Sequence, residues 1–479
     1  MQSGIYIGGN WREGSGEVTV VDPATGETVD VVAYGDTVQA TEAVDAASEA
    51  FPRWAQLPAE TRADYLYKLY EKMMERREFL AQLMTAEQGK PLREAKGEVA
   101  YAASFVKWYA EEAKRVYGET IPASTPNKRL LVMKQPVGVA AIITPWNFPS
   151  AMITRKIAPA LAAGCTVVIK PPFETPLSAI ELVKLTEEVG FPPGVVNLLL
   201  GPSRDVAETW LSDARVRKLS FTGSTEVGRE LMGKAAQNVT RLSLELGGHA
   251  PFIIFDDADL DLAVTGLINS KFRNTGQTCI CANRAYVQRS VYDDVIQKLQ
   301  QRVGRMTVGN GSDNPDVGPL INKAAYEKVQ EHIDDAVQKG ARLIVGGNRL
   351  RGEAYDRGYF VEPTVLGEAT AEMRVLAEET FGPVIPLVPF EREEEAIAQA
   401  NDTIYGLAAY FFTKNLARAY RVAEQLAYGI VGLNDAVPST AQAPFGGMKQ
   451  SGLGREGGQA GIEAFLETKF VSIGLWDRR

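Results

Sequence analysis

The sequence contains little cysteine and histidine. Its 479 residues include three cysteines, Cys165, Cys279 and Cys281, and two histidines, His249 and His332. Three cysteines cannot form a disulfide framework, and such scarcity is typical of a reducing compartment, so we expect a cytoplasmic protein. Neither histidine lies in a nucleophile motif, and the two neighbouring cysteines do not have the spacing of zinc ligands. The sequence therefore predicts no metal site and no histidine-dependent triad.

A long apolar run and an excess of basic charge are also absent. Prolines and charged residues interrupt the most apolar stretch, residues 137–169, so no segment approaches the roughly 18 apolar residues that span a bilayer. The chain has 51 Lys and Arg residues against 60 Asp and Glu residues, a net charge of -9. This is the wrong sign for a protein that neutralises phosphates, so we expect neither a membrane nor nucleic acid as a partner.

What is present indicates a folded α/β protein of several domains. The length exceeds one typical domain of roughly 150 residues. Helical periodicity dominates residues 36–117, and short apolar runs then alternate with helical segments from about residue 138 onward, which is typical of parallel sheets with crossover helices. A second such unit follows the first. The segments NKRLLVMKQPVG and FLETKFVSIGL alternate like strands of neither sheet, and detached strands of this kind often pair with another subunit.

Three segments could carry chemistry. Cys279 follows a polar, glycine-containing turn in FRNTGQTCICANR, where a thiol can be exposed and act as a nucleophile. Glu245 ends a short strand in LELGGHAPFIIF, a common position for a general base. The segment FTGSTEVG places Gly223 and Ser224 between a strand and a helix, where backbone N–H groups can bind a phosphate. Cys165 fits a buried, inert role.

The motifs PWNFP, KPPFETP, FTGSTEVG, LELGG, GQTC and EETFGP occur in this order along the whole chain, which thereby resembles the aldehyde dehydrogenase superfamily. The resemblance implies an α/β fold with a Rossmann-like NAD(P)-binding domain at residues 1–119 and 139–246. It implies a catalytic α/β domain at residues 247–440. An oligomerisation arm and C-terminal segment would comprise residues 120–138 and 441–479, and the family forms dimers or tetramers.

The same resemblance implies the catalytic roles. Cys279 would be the nucleophile and Glu245 the base that activates water. Asn147 and the Cys279 backbone N–H would form the oxyanion hole, and Lys156 matches a lysine sometimes placed in proton transfer. The base argues against coenzyme A as the group that resolves the thioester, because a base aimed at water would then be unnecessary.

The cofactor implied is NAD or NADP. Its binding residues would be Thr144, Pro145, Trp146, Lys170, Phe173, Glu174, Phe221, Gly223, Ser224, Leu246, Glu379 and Phe381. Many NAD-preferring relatives carry a glutamate three residues after the lysine, where it repels a 2′-phosphate. This chain has Phe173 there and Glu174 next to it, so the preference between NAD and NADP stays open.

A closer resemblance is to succinate-semialdehyde dehydrogenases, through SAMITRK, FRNTGQTCICANR, NDTIYGLAAYFFT and APFGGMKQSGLGREG. It implies that Arg155, Arg273 and Ser439 bind a carboxylate-bearing aldehyde. The expected reaction is oxidation of succinate semialdehyde to succinate through a cysteine thiohemiacetal and a thioester. The loop NDAVPSTAQ departs from the subgroup, so glutarate semialdehyde or another small aliphatic aldehyde is the alternative. In this subgroup Cys281 can form a redox pair with Cys279; packing is its other interpretation.

Overall fold

The computed structural model describes residues 2–475, which form helices and strands in the following order. The helices are α1 (Thr37–Gln56), α2 (Ala59–Glu75), α3 (Arg77–Gln88), α4 (Leu92–Glu112), α5 (Ala151–Ala163), α6 (Pro176–Val189), α7 (Ser203–Ser212), α8 (Thr225–Ala235), α9 (Leu260–Phe272), α10 (Tyr292–Val303), α11 (Lys323–Gln338), α12 (Arg374–Ala377), α13 (Glu393–Asn401), α14 (Leu416–Gln425) and α15 (Gly458–Glu463). The strands are β1 (Gln2–Ser3), β2 (Ile5–Ile7), β3 (Asn10–Trp11), β4 (Gly16–Val21), β5 (Thr28–Tyr34), β6 (Glu119–Ile121), β7 (Lys128–Pro136), β8 (Val139–Ile143), β9 (Thr166–Lys170), β10 (Val196–Leu199), β11 (Val216–Thr222), β12 (Arg241–Glu245), β13 (Ala250–Ile254), β14 (Ala282–Gln288), β15 (Arg342–Val345), β16 (Thr364–Gly367), β17 (Val384–Phe390), β18 (Ala408–Phe412), β19 (Ile430–Leu433), β20 (Gly452–Leu453) and β21 (Leu466–Gly474).

The first large sheet has the order β20-β12-β11-β8-β9-β10-β2-β3. Its five central strands, β12 to β10 in this order, are parallel, and antiparallel strands cover both edges. The strand order reverses between β8 and β11, and in open α/β sheets ligands bind outside the carboxyl ends of the strands at such a point. The chain leaves β8 into residues 144–147 and leaves β11 into residues 223–224, so both segments lie at this edge.

The second large sheet has the order β15-β16-β17-β14-β13-β18-β19 and is parallel except for β15. Its strands come from residues 250–433, after the first sheet's β8–β12. The continuous apolar runs of the sequence form buried strands of both sheets. TVVIK is β9 of the first sheet, and most of PFIIF lies in β13 of the second. The predicted α/β fold with two sheets is confirmed.

Two smaller sheets complete the fold. The detached strands predicted from alternation are β7 and β21, which pair antiparallel from Leu466 opposite Pro136 to Gly474 opposite Lys128, with β6 on the other side of β7. The arm sheet thus begins at Glu119. Residues 441–465 lie outside this sheet: β20 pairs with β12, and α15 packs against α5. Strands β1, β5 and β4 form the other small sheet.

Helix α5 is buried along its whole length. Every residue from Ala151 to Ala163 is shielded from solvent, including Arg155 and Lys156. Small residues allow close packing against α4, α2 and β9, which makes α5 a rigid support between the first sheet and the surrounding helices. Because charged side chains are buried only when paired, its two cations must find partners inside the protein.

Candidate active site

Cys279 lies after a tight, strained turn that follows α9. Asn274 and Thr275 have φ values of 51° and 59°, and Gly276 follows with φ of 72°. A β-branched residue such as Thr275 rarely adopts this region, at a cost of about 1–3 kcal/mol, and residues held in this way cluster at functional sites. A Cβ on Gly276 would lie 2.2 Å from the carbonyl oxygen of Gly382, so only glycine fits. The turn thereby fixes the position of Cys279.

Two cavities meet at the Cys279 side chain. The first, of about 320 Å³, is lined by Cys279 together with Arg155, Arg273 and Ser439 and is termed the substrate cavity. The second, of about 390 Å³, is termed the cofactor cavity. Its lining includes Pro145, Trp146, Asn147, Gly223, Ser224, Leu246, Cys279, Glu379 and Phe381. All three predicted substrate residues and seven of the twelve predicted cofactor residues therefore line the cavities beside the predicted nucleophile.

The Cys279 thiol is partly exposed, and its surroundings favour the neutral form. Burial raises its pKa to about 12, with Arg155 opposing this shift and Glu379 and Glu245 adding to it. A neutral thiol is a poor nucleophile, so the site needs a base close to Cys279.

Glu245 ends β12 and lines neither cavity, but its charge acts on the Cys279 thiol, which makes it a candidate for this base. Its side chain is only 2% exposed, and neither carboxylate oxygen has a hydrogen-bond partner among the described residues. Burial, followed by the nearby charge of Glu456, raises its pKa well above the ordinary value. A carboxyl group with a raised pKa is a stronger base near neutral pH than an ordinary one.

Hydrogen bonds fix both the side chain and the backbone carbonyl of Asn147. Its side-chain Nδ2 donates to the carbonyl oxygen of Gln277 at 3.0 Å, and its own carbonyl oxygen accepts from Lys90 Nζ and Asn274 Nδ2, each at 2.8 Å. Lys90 forms a buried ion pair with Glu98. An amide carries two N–H groups, so one remains for an oxyanion while the other holds the Cys279 loop.

Glu456 is a functional residue that sequence reasoning missed. Its buried carboxylate lies 2.7 Å from Arg155 Nη2 and also pairs with Lys156. Lys156 Nζ donates to the hydroxyl of Thr222 at 2.6 Å and lines neither cavity. The signal lay in the motif GREGG, where a lone carboxylate stands among glycines. Lys156, predicted to be a catalytic residue, is thus placed in an ion pair behind the site.

The two arginines of the substrate cavity differ in their partners. Arg155 pairs with Glu456 and has its guanidinium 3.9 Å from the centre of the Phe445 ring. Arg273 forms no ion pair with any described residue, and its Nε is buried without a hydrogen-bond partner. Its guanidinium lies 5.5 Å from the centre of the Phe148 ring. Arg273 is therefore the cation free to bind an anion.

Ser439 faces the same cavity. Its hydroxyl forms a short hydrogen bond with the phenol of Tyr101, a residue of α4 that the sequence analysis did not single out. A hydroxyl has both a donor and acceptors, so this pair can still donate one hydrogen bond to a ligand.

On the cofactor side, Lys170 ends β9 and has no carboxylate bonded to it. Its buried Nζ donates only to the carbonyl oxygen of Pro171, at 3.0 Å, and burial lowers its pKa to about 8. The Phe173 ring centre lies 5.7 Å from this Nζ and 5.3 Å from the ring of Tyr34, edge to face. Glu174 is exposed. A hydrophobic ring thus occupies the position of the carboxylate found in many NAD-preferring relatives.

The rest of the cofactor cavity suits a nucleotide with a ring to be positioned. Ser224 caps α8, its hydroxyl accepting from the Val227 N–H at 3.3 Å, so the positive end of this helix faces the cavity. Glu379 is held by the Gly248 N–H at 3.2 Å, and burial raises its pKa to about 7. The Trp146 and Phe381 rings lie 5.6 Å apart, edge to face. A helix N-terminus at the cavity, with a buried lysine beside it that has no ion pair among the described residues, fits a dinucleotide.

Five predicted cofactor residues lie outside the lining of this cavity: Lys170, Phe173 and Glu174, already described, and Thr144 and Phe221. Thr144 follows β8 and its N–H donates to the Lys170 carbonyl at 3.3 Å, while its hydroxyl is buried without a partner. Phe221 is buried in β11 and packs under Gly223, where a Cβ would lie 2.3 Å from its ring. These residues shape the edge of the sheet.

Cys281 is buried two residues beyond Cys279. Its Sγ lies 3.6 Å from Lys271 Nζ and donates to the Gly276 carbonyl oxygen at 3.4 Å. Burial raises its pKa. Both cysteines are free thiols in this structure, so a redox pair between them stays a prediction. Residues 2–475 contain no group of three or more His, Cys, Asp or Glu side chains placed to hold a metal ion.

The fold and the cavities on either side of Cys279 define an α/β enzyme of the nucleotide-dependent dehydrogenase type. The chain belongs to the aldehyde dehydrogenase family, whose model matches residues 11–471. It is 54% identical to the succinate-semialdehyde dehydrogenase [NADP(+)] of Escherichia coli over 98% of this chain and 97% of that protein. It is 52% identical to a glutarate-semialdehyde dehydrogenase of Pseudomonas putida over 98% and 97%.

A solved structure agrees closely with this fold. An NADP-dependent enzyme of Escherichia coli superposes with a TM-score of 0.97 at 52% identity, covering 99% of this chain and 98% of the other. Within residues 2–475, no helix is both long and apolar enough to cross a membrane.

Proposed function

We propose that this aldehyde dehydrogenase oxidises succinate semialdehyde to succinate with NAD or NADP. The observation that carries the proposal is the substrate cavity beside Cys279, where Arg273 has no carboxylate partner and the Ser439–Tyr101 pair has hydrogen bonds to offer. A carboxylate is the anion that a guanidinium binds best, and a short chain would join it to an aldehyde at the thiol. Relatives that act on succinate and glutarate semialdehyde support the same class of substrate.

The first half of the reaction forms a covalent adduct on Cys279. The thiol loses its proton to Glu245, and the thiolate attacks the aldehyde carbon to give a thiohemiacetal. The carbonyl oxygen becomes an oxyanion, which accepts from Asn147 Nδ2 and the Cys279 backbone N–H. NAD or NADP, when bound, would supply the hydride acceptor for the substrate carbon, and loss of that hydride from the thiohemiacetal leaves a thioester on Cys279.

The second half releases the acid. Glu245 first releases to solvent the proton that it took from the thiol; the carboxylate then takes a proton from a water molecule, and the resulting hydroxide attacks the thioester carbon. The carbon–sulfur bond then breaks, so Cys279 leaves as a thiolate and the carboxylic acid forms. Both oxygens of Glu245 lack partners among the described residues, which leaves the carboxylate able to serve the thiol first and water afterwards.

For the cofactor, Lys170 would bind the adenosine ribose, and Gly223 with Ser224 would approach the pyrophosphate at the start of α8. Glu379 and Phe381 would hold the nicotinamide end. Phe173 in place of a carboxylate favours tolerance of a 2′-phosphate, so we infer that NADP is used at least as well as NAD.

One kinetic comparison tests this function. Purified enzyme is assayed with succinate semialdehyde, glutarate semialdehyde and butanal, each with NAD and with NADP, by absorbance of the reduced cofactor. We expect kcat/KM for succinate semialdehyde to exceed that for butanal by about 100-fold, the value of one charge-assisted carboxylate contact. Higher kcat/KM with glutarate semialdehyde would assign that substrate instead. Equal kcat/KM with butanal would overturn the carboxylate-binding role of Arg273.

We also infer that the protein is a cytoplasmic homo-oligomer, assembled through the β6–β7–β21 sheet. This sheet exposes four large apolar side chains, namely Ile121 (43%), Met133 (45%), Phe470 (57%) and Ile473 (38%). Exposed apolar residues on a strand ribbon mark surfaces that bury against another chain. Sedimentation analysis would show a dimer or tetramer, and a monomer at micromolar concentration would contradict the inference.

A further inference from the structure

Another cavity, distinct from the cofactor cavity, adjoins the substrate cavity and is lined by several arginines. It measures about 510 Å³, and three residues, Glu94, Arg273 and Val437, line both cavities. The remainder of its wall comes from α4, α9 and the region that follows α10. Because the two cavities share Arg273, an anion in the outer one lies next to the guanidinium that faces the inner one. We term this outer space the arginine vestibule.

The vestibule has an excess of positive charge. Its lining contains four arginines, Arg93, Arg273, Arg302 and Arg305, and two carboxylates, Glu94 and Asp316. This excess stands out in a chain whose net charge is -9. A concave surface of one sign raises the local concentration of small ions of the opposite sign.

The two carboxylates are already engaged. Asp316 pairs with Arg93 at 3.2 Å and accepts from the Thr307 N–H at 2.9 Å. Glu94 accepts from the Asn274 backbone N–H at 2.7 Å. Once Arg93 is neutralised by Asp316, three guanidinium groups face one carboxylate.

Like Arg273, the guanidinium groups of Arg302 and Arg305 have no ion-pair partner among the described residues. Arg302 Nη1 donates to the hydroxyl of Thr265 at 2.9 Å, a neutral group. Arg305 has no side-chain hydrogen bond or ion pair within residues 2–475. Both side chains are exposed, so they can reach an incoming anion without first breaking an ion pair. Ile268 and Phe272 supply an apolar wall next to them, which suits the methylene groups of a short aliphatic chain.

We propose that the arginine vestibule is an encounter site for small carboxylate anions, which Arg302 and Arg305 attract and pass to Arg273. The proposal rests on the proposed function, because it supplies that reaction with its anionic aldehyde. Exposed, flexible arginines hold a ligand loosely, which suits capture followed by rapid transfer and not tight binding. The site therefore raises the rate of substrate entry and leaves the chemical steps unchanged.

The test compares an anionic and a neutral reagent of nearly the same size at Cys279. Iodoacetate and iodoacetamide both alkylate thiols, and their rate ratio cancels any change in the pKa of Cys279. Peptide mass spectrometry confines the measurement to Cys279, since Cys165 and Cys281 are buried. The variant is R302Q/R305Q. The control is R217Q/R351Q, which removes the same charge from two exposed arginines that have no ion pair with described residues and lie outside the vestibule.

We expect R302Q/R305Q to slow iodoacetate about 3- to 10-fold in buffer of about 10 mM ionic strength, with iodoacetamide unchanged. At about 0.5 M salt the difference should vanish, because screening removes attraction beyond a few ångströms. The control should match the wild type. The same variant should lower kcat/KM, and not kcat, for succinate semialdehyde by a similar factor at low salt.

Three results would overturn the proposal that the vestibule attracts anions. They are equal slowing of both reagents in R302Q/R305Q, an equal effect in R217Q/R351Q, or a loss of iodoacetate rate that persists at high salt. A failure of the proposed function would look different. Wild-type enzyme would then prefer butanal to succinate semialdehyde, while the iodoacetate ratio would still report whether the vestibule concentrates anions.

Discussion

The buried charged side chains on the two sides of Cys279 differ in their partners: ion pairs neutralise them on the substrate side, and, within residues 2–475, backbone groups alone bond to them on the cofactor side. Beneath the substrate cavity, the buried cations are neutralised inside the protein: Arg155 pairs with Glu456 and Lys90 pairs with Glu98. Among the described residues on the cofactor side, buried Lys170, which lies outside the cavity lining, bonds only to a backbone carbonyl, and Glu379 bonds only to a backbone N–H. Burial accordingly shifts the pKa of Lys170 to about 8 and that of Glu379 to about 7, toward their neutral forms.

This difference separates framework from binding groups. An ion pair that is complete within the protein fixes geometry, and breaking it costs stability. A buried polar group without a charged partner is expensive unless a ligand completes it. By this criterion Arg273 belongs with Lys170 and Glu379 among the binding groups, whereas Arg155 belongs to the framework although it lines the same cavity as Arg273.

The largest expected effect comes from the one side chain that both cavities share. Cys279→Ser should lower kcat by about 10³-fold or more, because a hydroxyl is a far weaker nucleophile than a thiol at the same position. The measurement is formation of reduced cofactor under saturating substrate. Cys281→Ala is the matched control, since Cys281 lies two residues away but is buried against Lys271, and it should retain activity within a few-fold. Comparable losses in both variants would mean that the loop, and not the Cys279 sulfur, was damaged.

The structure brings many of the predicted residues together because they are close to one another along the chain or lie at strand ends. Runs such as TVVIK form β9 with the predicted ends, and the segments that leave β8 and β11 meet at the edge of the sheet. Parallel-sheet topology brings such ends together whatever the intervening helices contain. The detached strands β7 and β21 were also predictable from their alternation, although they are more than 300 residues apart.

The charge pairing could not be predicted in this way. Glu456 lies 300 residues from Lys156 along the chain, and Tyr101 lies 338 residues from Ser439. Periodicity and local motifs report which face of an element is buried, and they contain no information about which distant charge neutralises a buried one. For this reason the sequence assigned Arg155 and Arg273 the same role, and only the structure separates them.

A second prediction tests that separation. Arg273→Gln should lower kcat/KM for succinate semialdehyde about 100-fold, because a charge-assisted contact with the substrate carboxylate is lost, and change kcat/KM for butanal only slightly. Both substrates are assayed with the same cofactor. An equal loss with butanal would show that Arg273 supports the Cys279 loop.

Arg155→Gln is the matched comparison for Arg273→Gln. It removes one of the two cations paired with buried Glu456 and leaves Lys156 as the other, so it should lower the free energy of unfolding by about 3 kcal/mol, the lower end of the range for a broken buried pair, measured by urea denaturation. Arg273→Gln should leave that free energy within about 1 kcal/mol of the wild type. Similar stability losses in both variants would remove the distinction between framework and binding groups.

A third prediction concerns pH and the base that serves both halves of the reaction. Because Glu245 has a raised pKa, its ionised, active form becomes populated only as pH rises through that raised value. The pKa of the Cys279 thiol is raised to about 12, so this thiol is likewise mostly neutral at any pH below its own pKa. We expect kcat/KM to rise with pH by up to about tenfold per unit above the ordinary carboxyl range.

Glu456→Gln sharpens this pH experiment. It removes the negative charge that is the second cause of the raised Glu245 pKa, so the rising limb should move to lower pH even if activity falls overall. The pH profile is measured with succinate semialdehyde and with butanal to separate enzyme groups from the substrate carboxylate. A limb that keeps its position in Glu456→Gln would mean that another group controls it.

The smallest expected effect lies outside the cofactor cavity, beside Lys170 at the end of β9. Phe173 lies beside Lys170, where a carboxylate would accept hydrogen bonds from the ribose hydroxyls and repel a 2′-phosphate. Phe173→Glu should therefore lower kcat/KM with NADP about tenfold relative to NAD, through like-charge repulsion in a partly buried site. The new carboxylate should also pair with Lys170 and raise its pKa from about 8, since it would supply the charged partner that this lysine lacks.

Glu174→Gln is the control, because Glu174 is exposed and its removal should change the NADP to NAD ratio less than twofold. If Glu174→Gln instead raised the ratio as much as Phe173→Glu lowered it, the exposed Glu174 would be the residue that discriminates between the cofactors, and Phe173 would only pack against Tyr34.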